Sequence, residues 1–285
     1  MHLLDLHLGK PACRGALTVF PIWNGGAIGD RRYDLGTGSL AVEERAEGPV
    51  VEELVVTNSG SWPVLVLEGE LLQGGWQHRV AARTVLVGAG ASEVLDVQCV
   101  EKDRWAGARR HARTGTRVPP RVRVRTREGQ DAVWSEVDRY EQRYGRSETA
   151  SLAQATKAVE REARELVAGL KPLPFQSGVL IGVAGQPLLL EVFDCPDTLR
   201  QAWDALLRAA AVDAVGLPPV PTPGRRARRF VDRAGQVHLA DKREAGLGSQ
   251  VRGESEYVLL DCLVWEGSTV HATALNPRHE LVVAQ

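Results

Sequence analysis

The order in which two hydrophobic rhythms follow one another constrains this fold more than any other feature of the chain. The first hundred residues are cut into short apolar or alternating runs by turn signals. Helical spacing follows, and short runs then return. Residues 16–22, 38–44, 51–58, 63–73, 79–87 and 94–101 each read as a strand. They are parted by Asn24-Gly25-Gly26, Asn58-Ser59-Gly60 and Gly88-Ala89-Gly90. Residues 51–57 alternate, as a strand with one buried face does, whereas 63–67 are apolar almost throughout, as a strand covered on both sides is.

Val133, Val137, Tyr140 and Tyr144 then fall at helical spacing and stop at Gly145. Leu152, Ala155, Val159, Ala163, Leu166 and Leu170 do the same and stop at Pro172. Ser147 or Thr149 can cap this second helix. Residues 177–183 and 187–193 read as a hairpin turned by Ala184-Gly185-Gln186. A third helix, carrying Leu199, Trp203, Leu206 and Ala210, is capped by Asp194 or Asp197. Strands return at 236–240, 257–265, 269–275 and 280–284. Grouped strands, grouped helices and grouped strands do not wind an alternating parallel sheet. The expectation is an α+β fold with an antiparallel β-rich core, sandwich-like or of partly closed sheets. About three helices are inserted between the N- and C-terminal strand groups. One domain over 1–285 is expected: 15–105 as a β part carrying the candidate site, 131–215 as helices and hairpin, 216–235 as a Pro/Arg-rich loop, and 236–285 as closing strands.

Bulk properties exclude more than they specify. The hydrophobic fraction is 44%, the charged fraction 25% and the net charge −1, so global charge points neither to nucleic acid nor to a cation scavenger. No apolar stretch approaches the roughly 20 residues of a membrane span, and MHLLDLHLGKPACRG lacks the pattern of a signal peptide. Four scattered cysteines without CxxC spacing argue for a reducing compartment, against a zinc ribbon and against a disulfide framework. A cytoplasmic protein with no membrane partner is expected.

Chemistry-bearing residues are densest between Leu67 and Trp105. On one strand, Glu68 and Glu70 would share a face. Two close carboxylates raise one another's proton affinity, which suits a general acid or a cation site. The alternative is a solvated face, or an ion pair from Glu70 to Arg79 or Arg83. Gly74 and Gly75 permit a tight turn whose N–H groups face an anion or sugar, though a plain hairpin turn is the commoner use of such a pair. Gln77 and Arg79 fall on one face of the next strand and suit a ligand with hydroxyls and a phosphate or carboxylate. His78 stands between them. The sequence is neither a P-loop nor GxGxxG. Cys99 is a nucleophile only if a neighbour lowers its pKa, and a small buried cysteine is the commoner role. Glu101, Arg104 and Trp105 together can hold a ribose and stack a base; a surface ion pair beside a core tryptophan is the plain alternative. Glu70, Glu101 and His78 form a mixed set that manganese, magnesium or iron would accept, but no HxH or HExxH spacing supports it. His2, His7, His111, His238, His271 and His279 are scattered. No cofactor is specified.

Residues 102–127 carry an excess of roughly nine positive charges and a Pro119-Pro120 break. With almost no aromatic residue beyond Trp105, they read as a solvated or covering loop rather than a nucleic-acid surface. LPPVPTPG (217–224) and the basic 225–229 run read as an exposed connector.

Beyond these readings, the chain resembles the family of the ARG and rhodanese-phosphatase-superfamily-associated protein domain. The resemblance rests on GELLQGGWQHR (69–79), VQCVEKDRW (97–105), the 133–144 helix with 147–149, and QSGVLI (176–181) leading to Phe193-Asp194. It covers most of 15–215. His78 stands where that pattern usually has asparagine, and Trp76 at a usually basic position. The family's name implies company with ADP-ribosylglycohydrolase and phosphatase-type systems. By that resemblance the ligand is a NAD-derived or ADP-ribose-like nucleotide or a phosphosugar. Two functions follow. One is an enzyme with Glu70 and Glu101 as acid/base groups and Arg79 and Arg104 as phosphate anchors. The other is a non-catalytic nucleotide-binding or scaffold domain using the same groups.

Overall fold

The computed structural model describes residues 5–25, 30–36 and 38–283. Gly26 of the first turn signal, His2, and Ala284 of the last expected strand lie outside them. The chain divides into two compact units. One holds Arg32–Arg161 and Ala245–Leu247; the other holds the chain before Arg32, Glu162–Glu244 and the chain from Gly248.

In chain order, β1 (Leu6–Leu8), β2 (Ala12–Arg14) and β3 (Leu17–Asn24) open the second of these units. The first unit follows with β4 (Leu40–Glu43), β5 (Glu53–Asn58), β6 (Val64–Val66), β7 (Glu70–Gly74), β8 (Arg79–Ala81), β9 (Val85–Val87), β10 (Ser92–Cys99) and β11 (Arg110–Arg117). The helices α1 (Pro120–Arg125), α2 (Gln130–Tyr144), α3 (Leu152–Lys157) and α4 (Glu160–Val167) come next. Then follow β12 (Gly178–Val183), β13 (Gln186–Phe193), α5 (Pro196–Ala214), α6 (Gly224–Gln236), β14 (Asp241–Ala245), β15 (Gly248–Ser255), β16 (Val258–Trp265), β17 (Ser268–Leu275) and α7 (Glu280–Val283).

In the first unit six strands close a barrel in the order β10-β5-β4-β11-β7-β8, with β6 and β9 paired beside it. The seam is β8 against β10, where Cys99 lies opposite Arg79 and Val97 opposite Ala81. Directly opposed residues of an antiparallel pair share a face, so the register gives the lining. Leu54 and Val56, Leu95 and Val97, Val42 and Leu72 are all buried. Burying each such side chain contributes about 1.5–3 kcal/mol.

In the second unit the strands run β1-β3-β12-β13-β17-β16-β15-β14, with β2 also on β3. The helix α6 presents Ala227, Phe230, Val231 and Ala234 to a core that includes Phe20, Ile22, Leu180, Leu190, Val192 and Leu260. That spacing of i, i+3, i+4, i+7 is the stripe of a surface helix.

The α+β class and the antiparallel β-rich core are as expected; the details differ. A closed barrel and an open sheet stand in place of a sandwich, and the described residues form seven helices rather than about three. The apolar run 63–73 is two strands, because Gly69 turns with φ +81° between them. Glu68 therefore sits in that turn and not on a strand face beside Glu70. The 152–170 pattern breaks into α3 and α4. The arginine segment is no loop: it supplies β11 and α1, with Pro120 at the first helical turn, where its missing N–H costs nothing. The 225–229 run lies in α6, residues 248–255 form β15, and 280–283 are helical.

Candidate functional site

The polar residues of the Gly74–Arg79 turn and of 99–105 gather at one end of the barrel. Arg79 points inward from β8, opposite Cys99 on one side and Leu72 on the other. It is fully buried. Its Nη1 donates to Gln77 Oε1 at 2.9 Å, and Gln77 Nε2 donates to the Lys102 carbonyl at 3.2 Å. The Nε and Nη2 of Arg79 have no hydrogen-bond partner among the described residues. Burial lowers the proton affinity of this guanidinium, against the pull of Glu44 and Glu101. The Trp105 ring lies over it, 5.9 Å from ring centroid to guanidinium carbon. Trp105 is 46% exposed, and Trp76 meets it edge-on at 5.4 Å.

Glu101 binds this end together. Its Oε2 accepts from the His78 N–H at 2.9 Å and from Arg104 Nη2 at 2.6 Å, and its Oε1 from Thr149 Oγ1 at 2.8 Å. Burial alone would raise its pKa, but Arg104, the His78 N–H and Thr149 outweigh it and hold the carboxyl below its ordinary value. Arg104 also donates to the carbonyls of Gly75 (2.8 Å), Ala106 (2.8 Å) and Gly74 (3.1 Å), stapling the glycine turn to the segment after β10. The turn's own N–H groups are used within the protein: Gly74 donates to His78 Nδ1 at 2.9 Å, Gly75 to the Arg110 carbonyl at 2.9 Å and Trp76 to Glu44 Oε1 at 3.1 Å. Cys99 donates its thiol proton to the Glu101 carbonyl at 3.3 Å. Burial pushes that thiol above its ordinary value, so the neutral form prevails.

Gln77, Arg79, Glu101 and Arg104 thus share one end, with Gly74, Gly75, His78, Cys99 and Trp105. Glu68 and Glu70 do not. Glu70 lies four residues down β7 from Gly74, about 13 Å away at the rise of a strand. There it accepts a forked pair of bonds from Arg113, Nε at 2.6 Å and Nη2 at 2.8 Å. Glu68 receives the Arg123 guanidinium, Nε at 2.9 Å and Nη2 on the same oxygen, both side chains being buried. Glu70 is therefore ion-paired as its alternative reading had it, but its partner is Arg113 of β11, not Arg79 or Arg83.

Two groups at the barrel end had no signal in the sequence. Glu44, just past β4, and His111 on β11 pair at 2.9 Å through His111 Nε2, both buried. Burial would raise the Glu44 pKa; the His111 bond, the Trp76 N–H and the charge of Arg79 bring it below the ordinary value. Glu44 Oε2 and His111 Nδ1 have no hydrogen-bond partner among the described residues. The two residues are far apart in the chain, and the antiparallel pairing of β4 with β11 unites them. Among the described residues, no three His, Cys, Asp or Glu side chains form a group that could hold a metal ion; Glu70 stands apart from His78 and Glu101. All four cysteines are free, with Cys13 alone exposed. No described helix is long and apolar enough to cross a membrane.

These shifts fix an acid response. Burial lowers the His78 pKa below 6.5, so the unfolded chain takes up a proton that the folded chain refuses. That stability is present above pH 6.5 and declines as pH falls below it. Glu44 and Glu101, both lowered from 4.5, add a second loss below about pH 4.5. Urea midpoints of the barrel unit, followed by tryptophan fluorescence, should fall from pH 6.5 to 5. His78→Asn should flatten that stretch alone. A slope unchanged in the variant would remove His78 as its cause.

Neither a search of the curated proteins nor one of the solved structures gave a match. The sequence profile of ARPP-1, the ARG and Rhodanese-Phosphatase-superfamily-associated Protein domain, matches residues 5–275. The match reaches well past the stretch on which the resemblance was read, and the chain belongs to that family.

Proposed function

We propose that this end of the barrel binds a small anionic ligand of the nucleotide or phosphosugar class, as a recognition site rather than a catalytic one. The observation that carries the reading is Arg79. A fully buried guanidinium with two nitrogens lacking an acceptor is an expensive arrangement in a protein interior. A phosphate or carboxylate would satisfy both N–H edges in the planar, forked manner that arginine favours. Trp105, half exposed above it, offers a ring face to a base or sugar once it swings off the guanidinium. The turn below is pinned by Arg104 and Glu101, so the site would be largely preformed. Recognition is favoured over turnover because Glu68, Glu70 and Glu101 are each committed to arginine and the Cys99 thiol is held neutral. The family name adds support for an ADP-ribose-like ligand, by association only.

Fluorescence and thermal-shift titration with ADP-ribose, NAD, ribose 5-phosphate and inorganic phosphate tests this. At least one organic phosphate should quench tryptophan emission, and Arg79→Met should weaken its binding by tenfold or more. Chromatography of the mixture should return the ligand unchanged. If the whole panel leaves the protein unaffected, or Arg79→Met binds as well as the parent, the reading is wrong. New product would transfer the site to catalysis.

A further inference from the structure

The sheet unit carries a second charged feature. A cavity of about 330 Å³ is lined by Arg226, Arg229, Arg233, Tyr257, Asn276 and Arg278, with Gln186, Pro187 and Phe230 completing its wall. Three of its four arginines come from α6. They stand at i, i+3 and i+7, the spacing of one helix face, while the apolar stripe of the same helix is turned to the core. We infer that this cavity is a binding site for a polyphosphate anion, a group of two or more linked phosphates.

The arginines are held in place by contacts that leave donors to spare. Arg226 gives one nitrogen to the Gly185 carbonyl at 2.8 Å. Arg233 stacks its guanidinium on the Tyr257 ring at 4.0 Å, a contact that fixes its plane and uses none of its N–H groups. Arg278 lies 3.5 Å from the exposed Glu256. The Arg229 side chain lines the cavity and makes no hydrogen bond or ion pair with any described residue. Three carboxylates belong to the neighbourhood: Glu256, on Arg278, Glu280, which accepts from Gln186 Nε2, and Asp232, three residues after Arg229 on α6, against the four lining arginines and Arg225 and Arg228 of the same helix. The positive charge therefore exceeds its local neutralisation, inside a concavity where field lines concentrate.

The length of the row selects the ligand. From Arg226 to Arg233 the helix rises about 10 Å. A lone phosphate satisfies one or two guanidiniums, whereas a chain of phosphates lies along the row and engages three or four. The cavity volume falls at the lower end of small-molecule sites, too small for a folded partner to enter.

Isothermal titration of the full chain with inorganic tripolyphosphate, orthophosphate and a single-stranded RNA dodecamer tests the inference. Tripolyphosphate should bind at least tenfold more tightly than orthophosphate. Arg229→Gln should lower that affinity at least fivefold with Tm unchanged, since the residue is exposed and unpaired. Arg79→Met should leave it intact, which separates this site from the barrel end. Equal weak affinity for the two phosphates, or no effect of Arg229→Gln, would overturn the assignment. RNA binding that outcompetes tripolyphosphate would overturn it too, in favour of a nucleic-acid surface on α6.

Discussion

Glu68→Ala should destabilise the barrel unit by about 3–5 kcal/mol, the range for removing one partner of a buried ion pair. The carboxylate sits in the turn before β7 and receives the Arg123 guanidinium, with Arg117 Nη2 3.9 Å from the same oxygen. All three side chains are buried, and Arg117 Nη2 also donates to the Glu68 carbonyl. Alanine would remove the carboxylate that offsets two buried positive charges, while Arg117 would keep its bond to the backbone carbonyl. For a unit of this size the loss corresponds to a fall in Tm on the order of 10 °C. The control is Glu68→Leu with Arg123→Met. Removing the Glu68 and Arg123 charges together while keeping volume should recover much of the loss, because the cost lies in a buried charge that has lost its counter-charge and not in a missing attraction. A single variant that melts within 2 °C of the parent would show that solvent reaches these arginines.

Gly75→Ala should be comparably disruptive, for a different reason. Gly75 has φ +56°, in the left-handed region, which itself costs an alanine about 1 kcal/mol. The larger effect is steric. An added Cβ would lie 2.0 Å from His111 Nε2 and 2.1 Å from its Cε1. The imidazole would have to leave Glu44, and the buried Glu44 carboxylate would lose the His111 donor. Destabilisation of about 3 kcal/mol or more is expected, with loss of whatever the barrel end binds. Gly90→Ala is the matched comparison, since Gly90 also has positive φ (+67°) but an added Cβ there meets nothing within 4 Å. Denaturant midpoints for the two variants separate backbone strain from the clash. Equal midpoints would mean that His111 gives way freely.

Much of the β framework was legible because it obeys period two. All six N-terminal runs fall on observed strands, and the alternation of 51–57 called for one buried face, which in β5 is that of Leu54 and Val56. The arginine segments were illegible for the opposite reason. In β11, Arg113 and Arg117 point at acids from the neighbouring strand and turn, so charged residues occupy positions that a hydrophobic reading assigns to solvent. The α6 stripe of Ala227, Phe230, Val231 and Ala234 was present in the sequence but hidden among five arginines and a proline-rich leader. Within the site, the grouping of Gln77, Arg79, Glu101 and Arg104 followed from two nearby strands. Glu70 was misplaced with them because a strand carries its residues apart by several ångströms per step. Glu44 and His111 were missed because nothing local tells which distant strand a residue will meet when β4 pairs with β11.

The pairing of β3 with β12 joins Ile22 to Gly178, and all of the barrel unit except Ala245–Leu247 is threaded between them. At equilibrium this long excursion is tolerable: closing a loop of about 150 residues costs only ~2 kcal/mol more than closing one of ten. During synthesis the position is different. The apolar strand LTVFPIWN emerges from the ribosome long before its neighbour exists, and until then its edge is open to any other extended chain. A fragment ending before Gly178 keeps that edge open for good, so shortening this protein from its C-terminus exposes a sticky strand at the opposite end of the sequence.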